Sequence, residues 1–259
     1  MMNLGIVGLG VVGGALADWL TYSTQHKVKI IDPPKGLLDE FSDVKAIFIC
    51  IPVPTMENGD QFLDDLDKYV SNFSFKYKGI PIFVRSTVLP TTCDKLSEKY
   101  SCEVIAMPEF LTHHKAGRDM NTLPILAGIK GKEDLVVLCK KIFYEKEVIQ
   151  LTNIEAEAAK YVHNAYCAIK VNYFNVASEV CHRLGVDYKT VLEAARITGF
   201  IGMNHHRVPG PDGKFGYGGA CLPKDLKAFG KFLHDINVNG AMLMDITQTL
   251  NSQFRSKVT

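Results

Sequence analysis

The sequence has 259 residues, 29 Lys and Arg are balanced by 28 Asp and Glu, and 47% of the residues are hydrophobic. This content can fill one large domain or two ordinary ones, and the balanced charge shows no basic excess that would favour nucleic acid. Glycines interrupt the apolar N-terminal run and no charged leader precedes it, so we expect a cytoplasmic protein without signal peptide or membrane span. The seven scattered cysteines favour reduced thiols, most of them in the core.

The first 150 residues alternate between short apolar runs and amphipathic segments. Continuous apolar runs are typical of strands that are buried on both faces of a sheet. Such runs occupy 4–7, 28–32, 46–52, 80–86, 104–110, 124–130 and 147–151. Helical patterns follow the first run as far as residue 20 and recur at 60–73, 91–100 and 132–143. This alternation predicts an α/β domain over residues 1–150, built on a Rossmann-type doubly wound parallel sheet.

The sequence pattern of residues 151–259 differs from that of the first 150 residues and predicts a mostly α-helical domain. A stretch without proline runs to Gly185, so we expect one long helix that ends at this glycine. Asp187 is the predicted N-cap of a second helix. After a segment rich in glycine and proline, helices are expected to resume at Pro223 and again near residue 240.

A glycine-rich turn follows the first predicted strand, and we call residues 8–13 the phosphate loop. Gly8, Gly10 and Gly13 form the pattern G-x-G-x-x-G at the start of a helix, and Asp32 ends the second strand. These glycines allow a tight turn close to a pyrophosphate, and the helix N-terminus supplies amide donors. An acidic residue at Asp32 binds ribose hydroxyls, so NAD is favoured over NADP, although Lys35 lies nearby. The predicted dinucleotide contacts are Gly8, Gly10, Val11, Val12, Gly13 and Asp32.

A second glycine-rich segment reads "FGYGGACLPKD", and we call residues 215–221 the cysteine loop. Cys221 comes just before a predicted helix whose first turn holds Pro223. The helix dipole and Lys224 would favour the thiolate, and the glycines would let a substrate reach the sulfur. The alternative is a small buried cysteine beside a turn. The local sequence leaves both readings open.

The predicted long helix carries polar residues on one face. Three- and four-residue steps along this face join Glu157, Lys160, Asn164, Ala168, Val171 and Asn175. A lysine and an asparagine four residues apart can donate to one oxygen. On its own, such a stripe indicates a solvated face. The eight histidines of the chain show no metal-ligand spacing with cysteines or carboxylates, so no metal site is predicted.

Several motifs in order resemble the UDP-glucose/GDP-mannose dehydrogenase family along nearly the whole chain. Its nucleophile loop, FGxGGSCFPKD, matches residues 215–225 with Ala220 and Leu222 as differences, and its KxxxNA motif matches Lys160, Asn164 and Ala165. Its STV turn matches residues 86–88, its NPEFL motif appears as "MPEFL" at 107–111, and "FICIPVPT" at 48–55 is similar to the family's fourth strand.

The resemblance implies a four-electron oxidation of a nucleotide sugar by two NAD, with UDP-glucose to UDP-glucuronate as the first choice. The implied catalytic residues are Cys221, Lys160, Asn164, Glu109, Thr87 and Asp225. Cys221 would attack the intermediate aldehyde, and Lys160 and Asn164 would donate to the oxyanion. The aldehyde would pass through a thiohemiacetal to a thioester, which water hydrolyses. Thr87 and Glu109 would hold water for the proton transfers, and Asp225 would orient or activate it.

The resemblance also assigns binding residues and partners. It adds Pro52, Ser86, Thr87 and Lys224 to the cofactor contacts, and it assigns the substrate to Glu109, Phe110, Leu111, Lys160, Asn164, Arg207, Phe215, Gly218 and Gly219. Arg207 is included because Phe200 stands where the family has an arginine that reaches substrate in a neighbouring subunit. The family dimerises through its helical region, and the apolar face of the long helix agrees with a homodimer. Relatives continue into a second α/β domain that holds the nucleotide, so we expect a short form without it.

Two other functions remain open from the sequence. A two-domain hydroxyacid-type dehydrogenase would also join a dinucleotide-binding domain to a helical one, but would oxidise its substrate once. A cofactor-binding protein without turnover would act as a partner of a full-length enzyme. The number of NADH produced per substrate distinguishes these alternatives.

Overall fold

A computed structural model describes residues 1–257, apart from the side chain of His113. Its main sheet has six strands: β1 (Asn3–Val7), β2 (Lys27–Asp32), β3 (Leu37–Leu38), β4 (Ile47–Ile49), β5 (Ile82–Val84) and β6 (Val104–Ala106). The strand order is β3-β2-β1-β4-β5-β6, and every pairing is parallel except that of β2 with β3. The predicted doubly wound sheet is therefore confirmed, and its order reverses between β1 and β4.

Helices and a small second sheet complete this part of the chain. The helices are α1 (Val11–Tyr22), α2 (Asp64–Lys76), α3 (Thr92–Tyr100), α4 (Ala116–Thr122) and α5 (Glu133–Ile142). The two runs predicted as further strands form β7 (Ile125–Ala127) and β8 (Val148–Gln150), which pair with each other in a separate two-stranded parallel sheet. The short α4 was not predicted from the sequence.

Alternate residues of the main strands belong to two hydrophobic cores. On β5, Phe83 packs into one core, while Ile82 and Val84 pack into the other. On β6, Ile105 likewise belongs to the first core and its neighbours to the second. Successive side chains of a strand point to opposite faces, so these continuous apolar runs bury both faces of the sheet.

The connection after β2 is shorter than a helical crossover. A 3-10 turn at Pro33–Lys35 leads through Gly36, at φ 70°, directly to β3. Asp32 pairs with Leu37 in the antiparallel register, and both residues of β3 are exposed. A parallel neighbour would need a crossover of a dozen or more residues, so this short connection produces an antiparallel edge strand instead.

The chain divides into two compact units. The first contains residues 1–54 and 61–160, and the second contains residues 55–60 and 161–259. The remaining helices are α6 (Asn153–Arg183), α7 (Tyr188–Ala195), α8 (Leu222–Asp235) and α9 (Met242–Arg255). The Asp187 carboxylate accepts from the Thr190 N–H at the start of α7, which confirms it as the N-cap. Within residues 1–257, no helix combines the length and apolar character that crossing a membrane requires.

Candidate functional site

The phosphate loop is a close backbone turn between β1 and α1. Gly8 adopts φ 86°, a conformation that glycine takes without strain. A Cβ at Gly13 would lie 1.9 Å from the Gly8 carbonyl oxygen, so no other residue fits at position 13. Nothing lies within 4 Å of a Cβ built at Gly10. The loop therefore leaves the N-terminus of α1 open to an anionic group.

Asp32 lies beside this loop at the carboxyl end of β2. Its side chain is buried, and one carboxyl oxygen accepts from the Leu9 N–H at 2.6 Å. The Lys35 ammonium group donates to the Leu9 carbonyl oxygen at 2.5 Å. The acidic residue that the sequence predicted for ribose binding is thus held in place by the phosphate loop.

The adjoining strands β4 and β5 end at the same edge of the sheet, because their pairing is parallel. The Ser86 hydroxyl donates to the Ile51 carbonyl oxygen at 2.7 Å, which joins the two strand ends. The Gln61 amide donates to the Thr87 carbonyl oxygen and accepts from the Leu89 N–H, at 3.0 and 2.8 Å. Pro52 is exposed at this edge. Gln61, which the sequence did not single out, fixes the turn that carries Thr87.

Glu109 and Lys160 form a nearly buried ion pair in the first unit. Their side chains are 10% and 7% exposed, and 3.5 Å separates the Lys160 Nζ from a carboxyl oxygen of Glu109. The ammonium group also donates to the Glu109 carbonyl oxygen and lies 5.1 Å from the centre of the Phe110 ring. The Leu111 N–H donates to the Glu109 carboxylate. The predicted residues of the "MPEFL" segment are therefore gathered around the predicted oxyanion donor Lys160.

Cys221, the N-cap residue of α8 in the second unit, is exposed. The Asp225 side chain, 1% exposed, accepts from the Asn164 amide at 2.7 Å and from the Lys224 ammonium group at 2.5 Å. The Thr55 hydroxyl donates to the Lys224 carbonyl oxygen at 3.0 Å. These four polar residues, at and near the start of α8, thus form a connected network. Asp225 therefore anchors both Asn164 and Lys224.

The rest of the cysteine loop and its surroundings differ in burial. Phe215 is half-buried, Gly218 is partly buried, and Gly219, at φ 76°, is exposed. Arg207 is exposed in the segment between α7 and α8, and Phe200 is 91% exposed.

Five of the other cysteines are buried and Cys102 is partly buried, so most of the seven are core residues as predicted. The exposed Cys221 argues against its reading as a small buried residue.

The polar stripe of α6 is buried, which corrects its interpretation as a solvated face. Glu157, Lys160, Asn164 and Asn175 are each at most 6% exposed. Glu157 accepts from the N–H groups of Thr91 and Cys93, at the start of α3. Burial of this carboxyl group raises its pKa to about 7. Each polar group on this face has a partner that the sequence pattern alone did not indicate.

Arg85 is a further buried residue that sequence reasoning missed. Its side chain is 3% exposed, and its Nε and Nη1 atoms make no hydrogen bond within residues 1–257. Burial lowers the pKa of this guanidinium, and the charge of Glu109 opposes that effect. Arg85 lines the same small cavity as Glu109. An arginine directly before the STV turn was the available sequence signal.

Comparisons with known proteins agree with the motifs. Residues 154–253 match the central domain of the UDP-glucose/GDP-mannose dehydrogenase family. The UDP-glucose 6-dehydrogenase of Rickettsia prowazekii (strain Madrid E) is 27% identical over 225 residues, which cover 82% of this chain and 50% of that protein. The GDP-mannose 6-dehydrogenase of Pseudomonas aeruginosa is 28% identical over 240 residues, 86% of this chain and 53% of that protein. The chain spans about half the length of these relatives.

Similarity to a solved structure extends over nearly the whole chain. A UDP-glucose dehydrogenase from the hyperthermophilic archaeon Pyrobaculum islandicum superposes with a TM-score of 0.84 at 22% identity, over 98% of this chain and 68% of that one. At that identity, the superposition shows a shared fold. Residues 154–253 thus match the family's central domain, and the chain is similar to UDP-glucose and GDP-mannose 6-dehydrogenases over most of its length. Members of that family are NAD-dependent.

Proposed function

We propose that this protein catalyses the NAD-dependent oxidation of a nucleotide sugar from alcohol to carboxylate, with Cys221 as covalent nucleophile. The observation that carries the proposal is the exposed Cys221 at the start of α8, which also carries Asp225, hydrogen-bonded to Asn164 and Lys224. A structural cysteine has no need of such an arrangement. The family match over residues 154–253 includes these residues and supports the same chemistry.

The residues of the phosphate loop fit NAD. The 1.9 Å approach at Gly13 closes the turn, and the open space around Gly10 admits a pyrophosphate beside the N-terminus of α1. The buried Asp32 carboxylate suits ribose hydroxyls and would repel a 2′-phosphate. When bound, NAD would accept one hydride in each of two oxidation steps. Pro52, Ser86, Thr87 and Lys224 are proposed as its further contacts.

The first oxidation removes a hydride and a proton from the C6 alcohol and leaves an aldehyde. Glu109 is the proposed acid–base residue, acting through a water that Thr87 also holds. The Lys160 ammonium group lies 3.5 Å from this carboxylate and holds it in place. Lys160 and Asn164 are the proposed donors to the developing oxyanion.

The second oxidation proceeds on the cysteine. The Cys221 sulfur adds to the aldehyde carbon, and the resulting thiohemiacetal loses a hydride and a proton to become a thioester. Water then cleaves the carbon–sulfur bond, which gives the carboxylate and restores the thiol. Asp225 orients this water or the groups around it. Two NAD are consumed for each sugar oxidised.

UDP-glucose is the proposed first substrate, and GDP-mannose is the competing one. Relatives named for each reaction match this chain with similar identity, 27% and 28%. The proposed substrate contacts are Glu109, Phe110, Leu111, Lys160, Asn164, Arg207, Phe215, Gly218 and Gly219. A panel of UDP- and GDP-sugars, assayed for NADH, will identify the substrate.

The decisive experiment compares Cys221→Ser with the wild-type protein and with Cys102→Ser, which changes a cysteine outside the proposed site. Wild type and Cys102→Ser should yield two NADH per sugar, whereas Cys221→Ser should lose carboxylate formation by about 10³-fold or more. Undiminished acid production by Cys221→Ser would contradict the covalent mechanism. One NADH per substrate would favour the hydroxyacid-type alternative. Tight NAD binding without NADH from any sugar would favour a non-catalytic partner.

We also propose that the protein is a homodimer. Val162, Tyr166, Tyr173, Val176 and Val180 are each at least 44% exposed, and their spacing places them on one face of α6. An apolar stripe of this length supports burial against a second copy. The mass in solution, measured by light scattering, should equal two chains. A monomer at micromolar concentration would contradict the proposal.

A further inference from the structure

Two asparagines hold the backbone of the cysteine loop. On α9, the Asn251 side-chain oxygen accepts from the Tyr217 N–H at 2.7 Å, and its amide nitrogen donates to the Tyr217 carbonyl oxygen at 3.0 Å. On α6, the Asn175 oxygen accepts from the Gly216 N–H at 2.9 Å. Both polar ends of Asn251 are used by one residue of the loop. Its amide therefore pairs with the main chain much as a neighbouring strand would.

These hydrogen bonds lie in the protein interior, so the loss of one would destabilise the loop. Asn175 and Tyr217 are each 4% exposed, and Gly216 is buried as well. A backbone N–H that lost its partner there would have little access to water. The amide nitrogen of Asn175 is itself held, because it donates to the Val171 carbonyl oxygen at 2.8 Å. Asn175 is thus held in the orientation in which its oxygen accepts from the loop.

Two glycines of the loop lie so close to α9 that a larger residue would collide with its side chains. Gly216 has φ 72°, and a Cβ there would lie 2.5 Å from the Asn251 side-chain oxygen. A Cβ at Gly218 would lie 3.0 Å from the Arg255 guanidinium, which pairs with Asp212 at 2.7 Å. Glycine at these two positions lets the side chains of α9 approach the loop on both sides of Tyr217. The glycines are therefore part of the attachment to α9.

We propose that Asn251, assisted by Asn175, is a positioning residue for the Cys221 nucleophile. Only Gly218, Gly219 and Ala220 separate the fixed Tyr217 from the cysteine, and Gly219 and Ala220 are exposed. The asparagine contacts therefore fix the buried part of the loop backbone close to the sulfur in sequence. Misplacement of a reacting group by about 1 Å can reduce a rate about 100-fold. The inference rests on the proposed role of Cys221.

The test compares Asn251→Ala with Gln253→Ala, which removes an exposed amide side chain from the same helix. Hydrogen exchange should show lost protection at Tyr217 in Asn251→Ala and unchanged protection in Gln253→Ala. The rate of Cys221 alkylation by iodoacetamide, followed by mass spectrometry, should fall about 3- to 10-fold at neutral pH in Asn251→Ala. The pH profile of this alkylation should differ from that of Gln253→Ala, because a mobile loop changes the position of the thiol relative to the start of α8.

Asn175→Ala provides a second variant should Asn251→Ala fold poorly, and it should lose protection at Gly216 with the same change in alkylation. Protection that persists at Tyr217 in Asn251→Ala would overturn the proposal. So would lost protection with an alkylation profile identical to that of Gln253→Ala, since Asn251 would then be merely structural. These measurements need no sugar substrate. Wild-type protein that makes no NADH would therefore count against the proposed function alone.

Discussion

The phosphate loop and the cysteine loop both place glycines before a helix, yet their glycines make room for different neighbours. In the phosphate loop, Gly13 admits the loop's own backbone, since its Cβ would meet the Gly8 carbonyl oxygen at 1.9 Å. In the cysteine loop, Gly216 admits the side chain of Asn251, from a helix that follows later in the chain. The first loop is determined locally, and the second depends on a distant residue. Substitutions at matched glycines test this difference.

Gly13→Ala should have the largest effect. The added carbon would collide with backbone, which cannot move aside, so we expect destabilisation of about 4 kcal/mol or more and loss of NAD binding. Gly14→Ala is the matched control, because nothing lies within 4 Å of its Cβ. It should stabilise α1 by about 0.5–1 kcal/mol. Urea denaturation and an NAD titration measure both effects, and equal stability of the two variants would refute the local account.

Glu157 extends the comparison to a third junction between a loop and a helix. Its carboxylate holds the start of α3 from α6, and its pKa of about 7 lies above the ordinary value of 4.5. Between these two pH values the folded protein retains a proton that the unfolded chain releases. The free energy of unfolding should therefore decrease as pH rises through this window, by about 3 kcal/mol at most, and level off above pH 7.

Glu157→Gln should remove this contribution to the pH dependence. The variant should gain stability relative to wild type as pH rises from 5 to 7, and the difference should level off about one pH unit above the folded pKa. Urea unfolding at each pH measures it. Parallel stability curves for the two proteins over the whole range would show that the carboxyl group does not titrate in this window.

The smallest difference in stability is expected between Gly216→Ala and Gly213→Ala, and it tests the contact with Asn251. Both residues have positive φ, 72° and 74°, so both substitutions incur similar backbone strain. Nothing lies within 4 Å of a Cβ at Gly213, whereas one at Gly216 meets Asn251 at 2.5 Å. We expect Gly216→Ala to be the less stable variant by about 1–2 kcal/mol, in chemical denaturation. Equal decreases in the free energy of unfolding for the two variants would mean that the Asn251 side chain moves aside without losing its hydrogen bonds to Tyr217.

The sequence predicted those features whose causes lie within a few neighbouring residues. Strand periodicity, the phosphate loop with Asp32, the cap at Asp187 and the helix after the cysteine loop all depend on local chemistry. The antiparallel β3 was not predicted, because two exposed leucines carry no strand signal. The α4 helix was missed too, since only Met120 of its seven residues is buried, and it lacks an amphipathic pattern.

The sequence predicted the residues of the candidate site but not the groups to which they are hydrogen-bonded. Cys221, Lys160 and Asn164 were identified through motifs, but nothing in the sequence linked Asn251 to Tyr217 or Glu157 to Cys93. Those contacts join positions 34 and 64 residues apart. A polar stripe on a helix reads the same whether water or a buried loop faces it. Only the fold distinguishes the two.

The short loop at residues 55–60 has a consequence for dividing this protein into pieces. The loop lies early in the sequence but belongs to the second unit, where Thr55 donates to the Lys224 carbonyl oxygen and Asp60 pairs with Lys231 at 3.1 Å. A fragment covering only 151–259 would leave those groups of α8 without the loop. Gly59, packed on the Lys231 side chain, would be missing as well. Severing the chain at the apparent boundary would therefore remove part of the scaffold of the helix that Cys221 begins.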